Sequence, residues 1–278
     1  MVHHAAGPAK RTGRVKTLCG TLAAQGHDLS VHDSSTFRFA EDAPLAGLIC
    51  ICGGDGTVRM VLDRQADISQ LPPLAIYPLG TINLLARELG YPRQPEAFAR
   101  RIARTGNRCT ARLAKAGEAT FIACASAGTD ALVVSTVSLR LKALIGRLAY
   151  GVALFGLLAR WPRVKMRLSA DDSEFDAEAV FVLRGKYYAG PWMLDRQAGL
   201  GRDCLRVLAL PQARRRDIAG LMFHALTGAR RPNARWRIFD TAQLQVRIAE
   251  PAPVQADGDV IATLPLDFRI GEEAVTWK

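Results

Sequence analysis

Gly53-Gly54-Asp55-Gly56-Thr57 follows an apolar run from Leu45 through Cys52 and precedes Val58-Arg59-Met60-Val61-Leu62. Three glycines let the backbone bend tightly and bring its N–H groups close to an anion, and Thr57 stands where it can cap the helix that starts there. Strand, Gly-rich turn and helix, in that order, make a phosphate cradle, because a helix N-terminus presents roughly half a positive charge to its ligand. The carboxylate of Asp55 would repel bare phosphate. It therefore implies a bound cation, a proton to be taken, or a nucleotide hydroxyl to be held. Taken alone, so short a pattern reads equally well as a glycine-rich βα turn with a surface aspartate.

A second stretch changes the balance. Leu74-Ala75-Ile76-Tyr77 reads as another buried strand, running into Pro78-Leu79-Gly80-Thr81-Ile82-Asn83 before a helical pattern from Leu84 to Leu89. In a parallel sheet both turns fall at the carboxyl edge, where open α/β folds bind ligands. The pair resembles the diacylglycerol kinase catalytic family, which includes bacterial lipid kinases and sphingosine kinases. That family's signatures are GGDGT and then PLGTxNxxAR; this chain reads GGDGT and then PLGTINLLAR, ending at Ala86-Arg87.

The resemblance implies an α/β N-terminal domain with a parallel sheet, of the NAD kinase and diacylglycerol kinase type, followed by a C-terminal β-sandwich. It implies an ATP-dependent kinase that uses Mg²⁺ and phosphorylates a hydroxyl of a diacylglycerol-like or sphingoid lipid. Carried over onto matching positions, it assigns nucleotide binding to Thr36, Gly53, Gly54, Asp55, Gly56, Thr57, Val58, Arg59, Gly80, Thr81 and Asn83. An NAD kinase-like small-molecule kinase is the alternative, disfavoured because those enzymes lack the PLGTxNxxAR continuation. A catalytically weak lipid- or nucleotide-binding relative is the other.

A chain of 278 residues is long enough for two cores. The net charge of +11 favours anionic partners, namely nucleotide, phospholipid headgroups or nucleic acid. No basic run is interleaved with aromatics, so nucleic acid is not expected. The partners expected are a membrane lipid substrate and an anionic membrane surface touched peripherally, with a homodimer left open. Cysteines 19, 50, 52, 109, 124 and 204 form no CxxC pair and read as small core residues in a reducing compartment. Met1 to Arg14 is basic and has no apolar h-region, so the expected location is the cytoplasm, at most peripheral on the inner face of the membrane.

Along the chain, His3-His4-Ala5-Ala6-Gly7 stands where the resembled family has an NPxAG or NPxSG turn, and no strand is legible before it. Residues before about Thr12 read as a basic tail. Val15 to Ala24 has helical spacing, Leu29 to Val31 is a short strand candidate, and a helix over Glu96 to Thr105 leads to Gly106-Asn107, the expected hinge. The expected domains are 1–107, α/β, and 108–278, β-sandwich, with room for the extreme C-terminus to return to the first. Strands are expected at Phe121 to Ala125, Val164 to Leu168, Ala179 to Leu183, Leu205 to Leu210 and Leu244 to Ile248. One apolar helix is expected from Leu139 to Ala159, its uncharged part too short to cross a bilayer; the resemblance places Gly146 to Tyr150 beside the lipid cleft. Arg214-Arg215-Arg216 opens a helix over Asp217 to Leu226, and Arg230, Arg231, Arg235 and Arg237 follow. The cluster reads as a solvated face or as a dock on an anionic membrane.

Phosphoryl transfer needs the γ-phosphate positioned, its charge neutralised, and the acceptor hydroxyl aligned by a carboxylate. Asp55 is one source. Ala256-Asp257-Gly258-Asp259 is another, similar to the family's DGE motif: Asp259 stands where the family has its catalytic glutamate and Asp257 where it has a supporting aspartate. Leu200-Gly201-Arg202-Asp203-Cys204-Leu205 is similar to a family LxxDGL stretch, with Cys204 in place of glycine. The resemblance makes Asp203, with carbonyls of Leu200 and Leu205, the magnesium ligands; by itself Asp203 reads equally as a turn aspartate before a strand. After GGDGT the family reads Asn and Glu where this chain has Arg59 and Met60; a polar anchor is lost, and the Arg59 fork can pair with phosphate instead.

Overall fold

The computed structural model describes residues 1–3, 9–104, 106, 108–128, 131, 163–171, 173–227 and 235–278. These divide into two units, Met1–Arg112 with Glu272–Lys278, and Leu113–Gly271.

The first unit runs β1 (Val2–His3), α1 (Ala9–Ala24), β2 (His32–Asp33), α2 (Phe39–Asp42), β3 (Ile49–Gly53), α3 (Asp55–Leu62), β4 (Leu74–Pro78), α4 (Leu84–Glu88) and α5 (Pro95–Ala103). Strands β1 to β4 are parallel, in the order β2-β1-β3-β4, with Trp277 from the chain's last strand paired beside Leu74. Every residue of β3 and β4 is buried, which is why both read as unbroken apolar runs rather than alternating ones. Helices cover the sheet with stripes at helical spacing: Val15, Leu18 and Leu22 in α1, Val58, Val61 and Leu62 in α3, Phe98 and Ile102 in α5. The Tyr77 ring meets Phe98 at 5.0 Å.

Four local expectations are corrected here. A strand does precede the His4 region: Val2–His3 lies between β2 and β3, but two residues carry no legible period. β2 sits at His32–Asp33 rather than Leu29 to Val31, and α1 begins at Ala9, inside the stretch read as a tail. The unit boundary falls at 112/113 rather than 107/108, since Thr110 bonds the Thr276 hydroxyl at 3.0 Å, both in the first unit.

The second unit begins within β5 (Cys109–Ala116) and continues β6 (Ala119–Phe121), β7 (Cys124–Gly128), β8 (Met166–Ala170), β9 (Ser173–Ala177), β10 (Ala179–Leu183), β11 (Tyr187–Tyr188), β12 (Trp192–Met193), β13 (Leu205–Leu210), α6 (Arg215–Thr227), β14 (Arg237–Thr241), β15 (Gln243–Arg247), β16 (Ala252–Ala256), β17 (Asp259–Leu264) and β18 (Leu266–Trp277). One antiparallel sheet runs β14-β13-β10-β7-β16-β17, and the other pairs β18, β15, β8 and β9. Alternate residues fill the layer between them: Val180, Val182, Val207, Ala209 and Val254 from the first sheet, Leu168, Phe175, Leu244, Val246 and Phe268 from the second. This is the expected sandwich. The apolar run Phe121 to Ala125 is not one strand but the end of β6, a buried bend at Ile122-Ala123, and the start of β7. The expected helix over 139–159 and the residues Arg230 and Arg231 lie outside the described residues. Among the described residues no helix is long and apolar enough to cross a membrane.

Candidate active site

The two signature loops lock into one another. β3 and β4 pair in register to Gly53 and Pro78, and the Leu79 N–H adds one more bond to the Gly53 carbonyl at 3.0 Å. Beyond that point the loops touch backbone to backbone. A Cβ on Gly80 would stand 2.6 Å from the Gly54 Cα and 2.7 Å from Asn83 Oδ1, so glycine is required there for steric reasons. Asn83 is buried in the left-handed region at φ 57, donates from Nδ2 to the Gly80 carbonyl at 2.6 Å, and leaves Oδ1 without a partner.

Asp55 holds this arrangement shut. Its buried carboxylate accepts from the Leu84 N–H through Oδ2 and from the Leu85 N–H through Oδ1, both at 2.9 Å. It is thus the N-terminal cap of α4, delivered from the neighbouring βα unit. The negative charge that looked out of place in a phosphate loop is placed against the first amides of the second helix. The consequence is an asymmetry between the turns. The start of α4 is filled by a carboxylate, whereas α3 begins at Gly54 with no side-chain cap.

Thr57 does not cap α3: its side chain folds over Gly53, whose added Cβ would meet Thr57 Oγ1 at 2.5 Å, and Gly54 is the cap residue. The Thr57 and Val58 N–H groups turn inward to the Gly54 carbonyl at 3.0 and 3.1 Å. Val58 is 0% exposed, a core residue whose side chain and amide are both committed, which argues against its assigned nucleotide contact. Arg59 is half-buried one turn into α3, Thr81 is exposed in the second loop, and Thr36 is exposed after β2. Burial pushes the Cys52 thiol, just before the loop, well above its ordinary range, so it stays a neutral packing group.

In the second unit Asp257-Gly258 is a two-residue hairpin turn between β16 and β17, with φ 52 and 90, and Ala256 pairs with Asp259. Positive φ at both positions is what the Asp-Gly dipeptide supplies. The buried Asp257 carboxylate reaches away from the turn to accept the N–H groups of Ile122, Ala123 and Cys124 at 2.8, 2.9 and 3.1 Å. It satisfies the bend that interrupts the Phe121 to Ala125 run. Asp257 is therefore a structural clamp, and Asp259 is half-buried at the head of β17.

The loop assigned to magnesium is differently occupied. Asp203 is exposed, and Leu200 and Leu205 are buried side chains. The Leu200 carbonyl accepts from Arg184 Nη2 at 3.1 Å, while Nη1 donates to the carbonyls of Arg202 and Cys204 at 2.5 and 2.6 Å. Leu205 lies in the β13 ladder opposite Thr241. Among the described residues no three His, Cys, Asp or Glu side chains stand close enough to hold a metal ion. The residues present do not fit a divalent ion at this loop. Arg184 was missed in the sequence; the available signal was a charge directly after the apolar strand Ala179 to Leu183.

Comparison with known proteins agrees with this architecture. Residues 1–116 match the diacylglycerol kinase catalytic domain, and residues 123–277 match the YegS C-terminal NAD kinase beta sandwich-like domain. A Pseudomonas aeruginosa PAO1 protein named "Probable lipid kinase YegS-like" is 29% identical over 276 residues, spanning 96% of this chain and 90% of that one. A crystal structure of a diacylglycerol kinase from Bacillus anthracis str. Sterne superposes with a TM-score of 0.72 at 19% identity, covering 99% of this chain and 94% of the other. An NAD kinase from Archaeoglobus fulgidus, solved in complex with ATP, shares the fold at a TM-score of 0.53 and 13% identity, covering 99% and 91%.

Proposed function

The chain belongs to the diacylglycerol kinase catalytic-domain family with a YegS-type C-terminal sandwich, and on that premise we propose that it is an ATP-dependent lipid kinase acting on a hydroxyl of a diacylglycerol-like or sphingoid lipid. The observation that carries this reading is the interlocked pair of loops, with Asp55 capping α4 and α3 starting at Gly54 without a side-chain cap. Gly53, Gly54 and Gly56 keep side chains away from the phosphates, and Thr81 offers a hydroxyl from the second loop. Asp259 takes the proton of the lipid hydroxyl as its oxygen bonds to the γ-phosphorus and the bond to ADP breaks. Magnesium, arriving on the nucleotide phosphates, would neutralise charge there.

The membrane side of the proposal rests on α6. Its outer face carries Arg215 and Arg216, then Ala219, Met222, Phe223 and Leu226. Phe223 is 66% and Leu226 58% exposed, which is unusual for side chains of that size unless something covers them. Basic residues followed by a short apolar stripe suit the headgroup layer of an anionic bilayer.

The test is transfer of labelled phosphate from ATP, with magnesium, to a lipid extract, diacylglycerol and sphingoid bases. Labelled lipid is the expected product, lost in Asp259→Asn while ATP still binds. No labelled lipid of any class, or conversion of NAD to NADP, would overturn the reading.

A further inference from the structure

The geometry points to Arg184 as a built-in cation of the 200–205 loop: its guanidinium fills the place where backbone carbonyls would otherwise gather a divalent ion, so the loop is ordered without metal. The carbonyls of Leu200, Arg202 and Cys204, two residues apart in sequence, turn to one side of the loop and meet one planar group. Arg184 is 1% exposed and follows β10, and its own N–H is fixed to the Ala123 carbonyl at 2.9 Å. A guanidinium presents five donors in a rigid plane and remains charged when buried, so several carbonyl dipoles compensate its lost hydration.

A divalent ion needs about six or more oxygens within roughly 2.0–2.6 Å. Here the nitrogens stand at 2.5 to 3.1 Å from those oxygens and occupy the volume between them. The neighbouring acids are also engaged by arginines: Asp195 pairs with Arg206 at 2.7 Å, and Asp240 with Arg202 at 2.5 Å and Arg206 at 3.2 Å. Asp203 is exposed, and among the described residues it belongs to no group of three His, Cys, Asp or Glu side chains. The loop thus carries its positive charge covalently, and any metal the reaction uses is held elsewhere.

The test uses the full chain without nucleotide. Mn²⁺ is titrated in while the amide signals of residues 200–205 are followed by NMR, and thermal unfolding is compared in chelator and in excess Mg²⁺. We expect no selective broadening at these amides and the same midpoint in both. Selective broadening at the loop, abolished by Asp203→Asn, would overturn the proposal. In chelator, Arg184→Gln is expected to unfold several degrees below the parent; a variant as stable as the parent would also overturn it. The parent titration decides the matter even if the variant does not fold.

Discussion

Asp55 is a carboxylate in a loop built for anions, and its two hydrogen bonds resolve the conflict by giving the charge to a helix rather than to the ligand. Asparagine keeps the shape but puts an NH₂ where an oxygen was, facing a backbone donor. Asp55→Asn should therefore leave one amide of Leu84 or Leu85 unpaired and cost about 1–3 kcal/mol, read as a lower urea midpoint, together with weaker ATP binding. An unchanged midpoint would sink the capping role. Asn83 allows a second comparison. At φ 57, Asn83→Gly should lose only the bond to Gly80, while Asn83→Ala should lose that bond and add about 1 kcal/mol of backbone cost. If the two variants unfold at the same urea concentration, backbone strain plays no part there. The loops themselves were legible in the sequence because a strand, a glycine turn and a helix are short-range patterns. The role of Asp55 was not, because its partners lie 29 and 30 residues away and only the packed loops bring them together.

At the scale of elements, the same limit explains the sandwich. β10 and β13 were readable to the residue, since apolar strands ending at turn residues announce themselves. The bend at Ile122-Ala123 was not, because it is as buried as the strands beside it; its polar backbone is satisfied by Asp257 from a distant hairpin. Asp257→Asn should cost roughly 2–4 kcal/mol, since a carboxylate serving three amides is replaced by a group with one acceptor oxygen. The check is calorimetric unfolding beside Asp259→Asn, which should lose activity with little change in stability. Helix α6 was expected from its arginines, but the apolar stripe beyond them emerged only when Leu221 and Ala225 proved to be the buried side. Phe223→Asp with Leu226→Asp should abolish flotation with phosphatidylglycerol vesicles while leaving phosphorylation of a water-soluble short-chain lipid intact. Retained flotation would remove α6 from the membrane contact.

Across the whole chain, the first unit is assembled from both sequence ends: Val2 pairs inside its sheet, and Trp277, 1% exposed, pairs beside Leu74. Tyr91 fastens that last strand, its hydroxyl donating to the Lys278 carbonyl at 2.6 Å, while the Lys278 N–H bonds Leu74 at 2.8 Å. Burial pushes the Tyr91 phenol well above the ordinary tyrosine range, with Arg101 opposing it only in part. The folded protein therefore keeps this proton where the unfolded chain has released it, so above the unfolded value the folded state binds more protons and stability falls as pH rises. The contribution is complete below about pH 10, where free tyrosine is still neutral, and declines above that. Urea midpoints measured from about pH 8 to pH 11 should fall more steeply in the parent than in Tyr91→Phe, which has no phenol to ionise. Tyr77, raised for the same reason, leaves the variant a residual slope. Parallel curves for the two proteins would mean that the Tyr91 proton is not held by the fold, and that the C-terminal strand is fastened by Trp277 and the backbone alone.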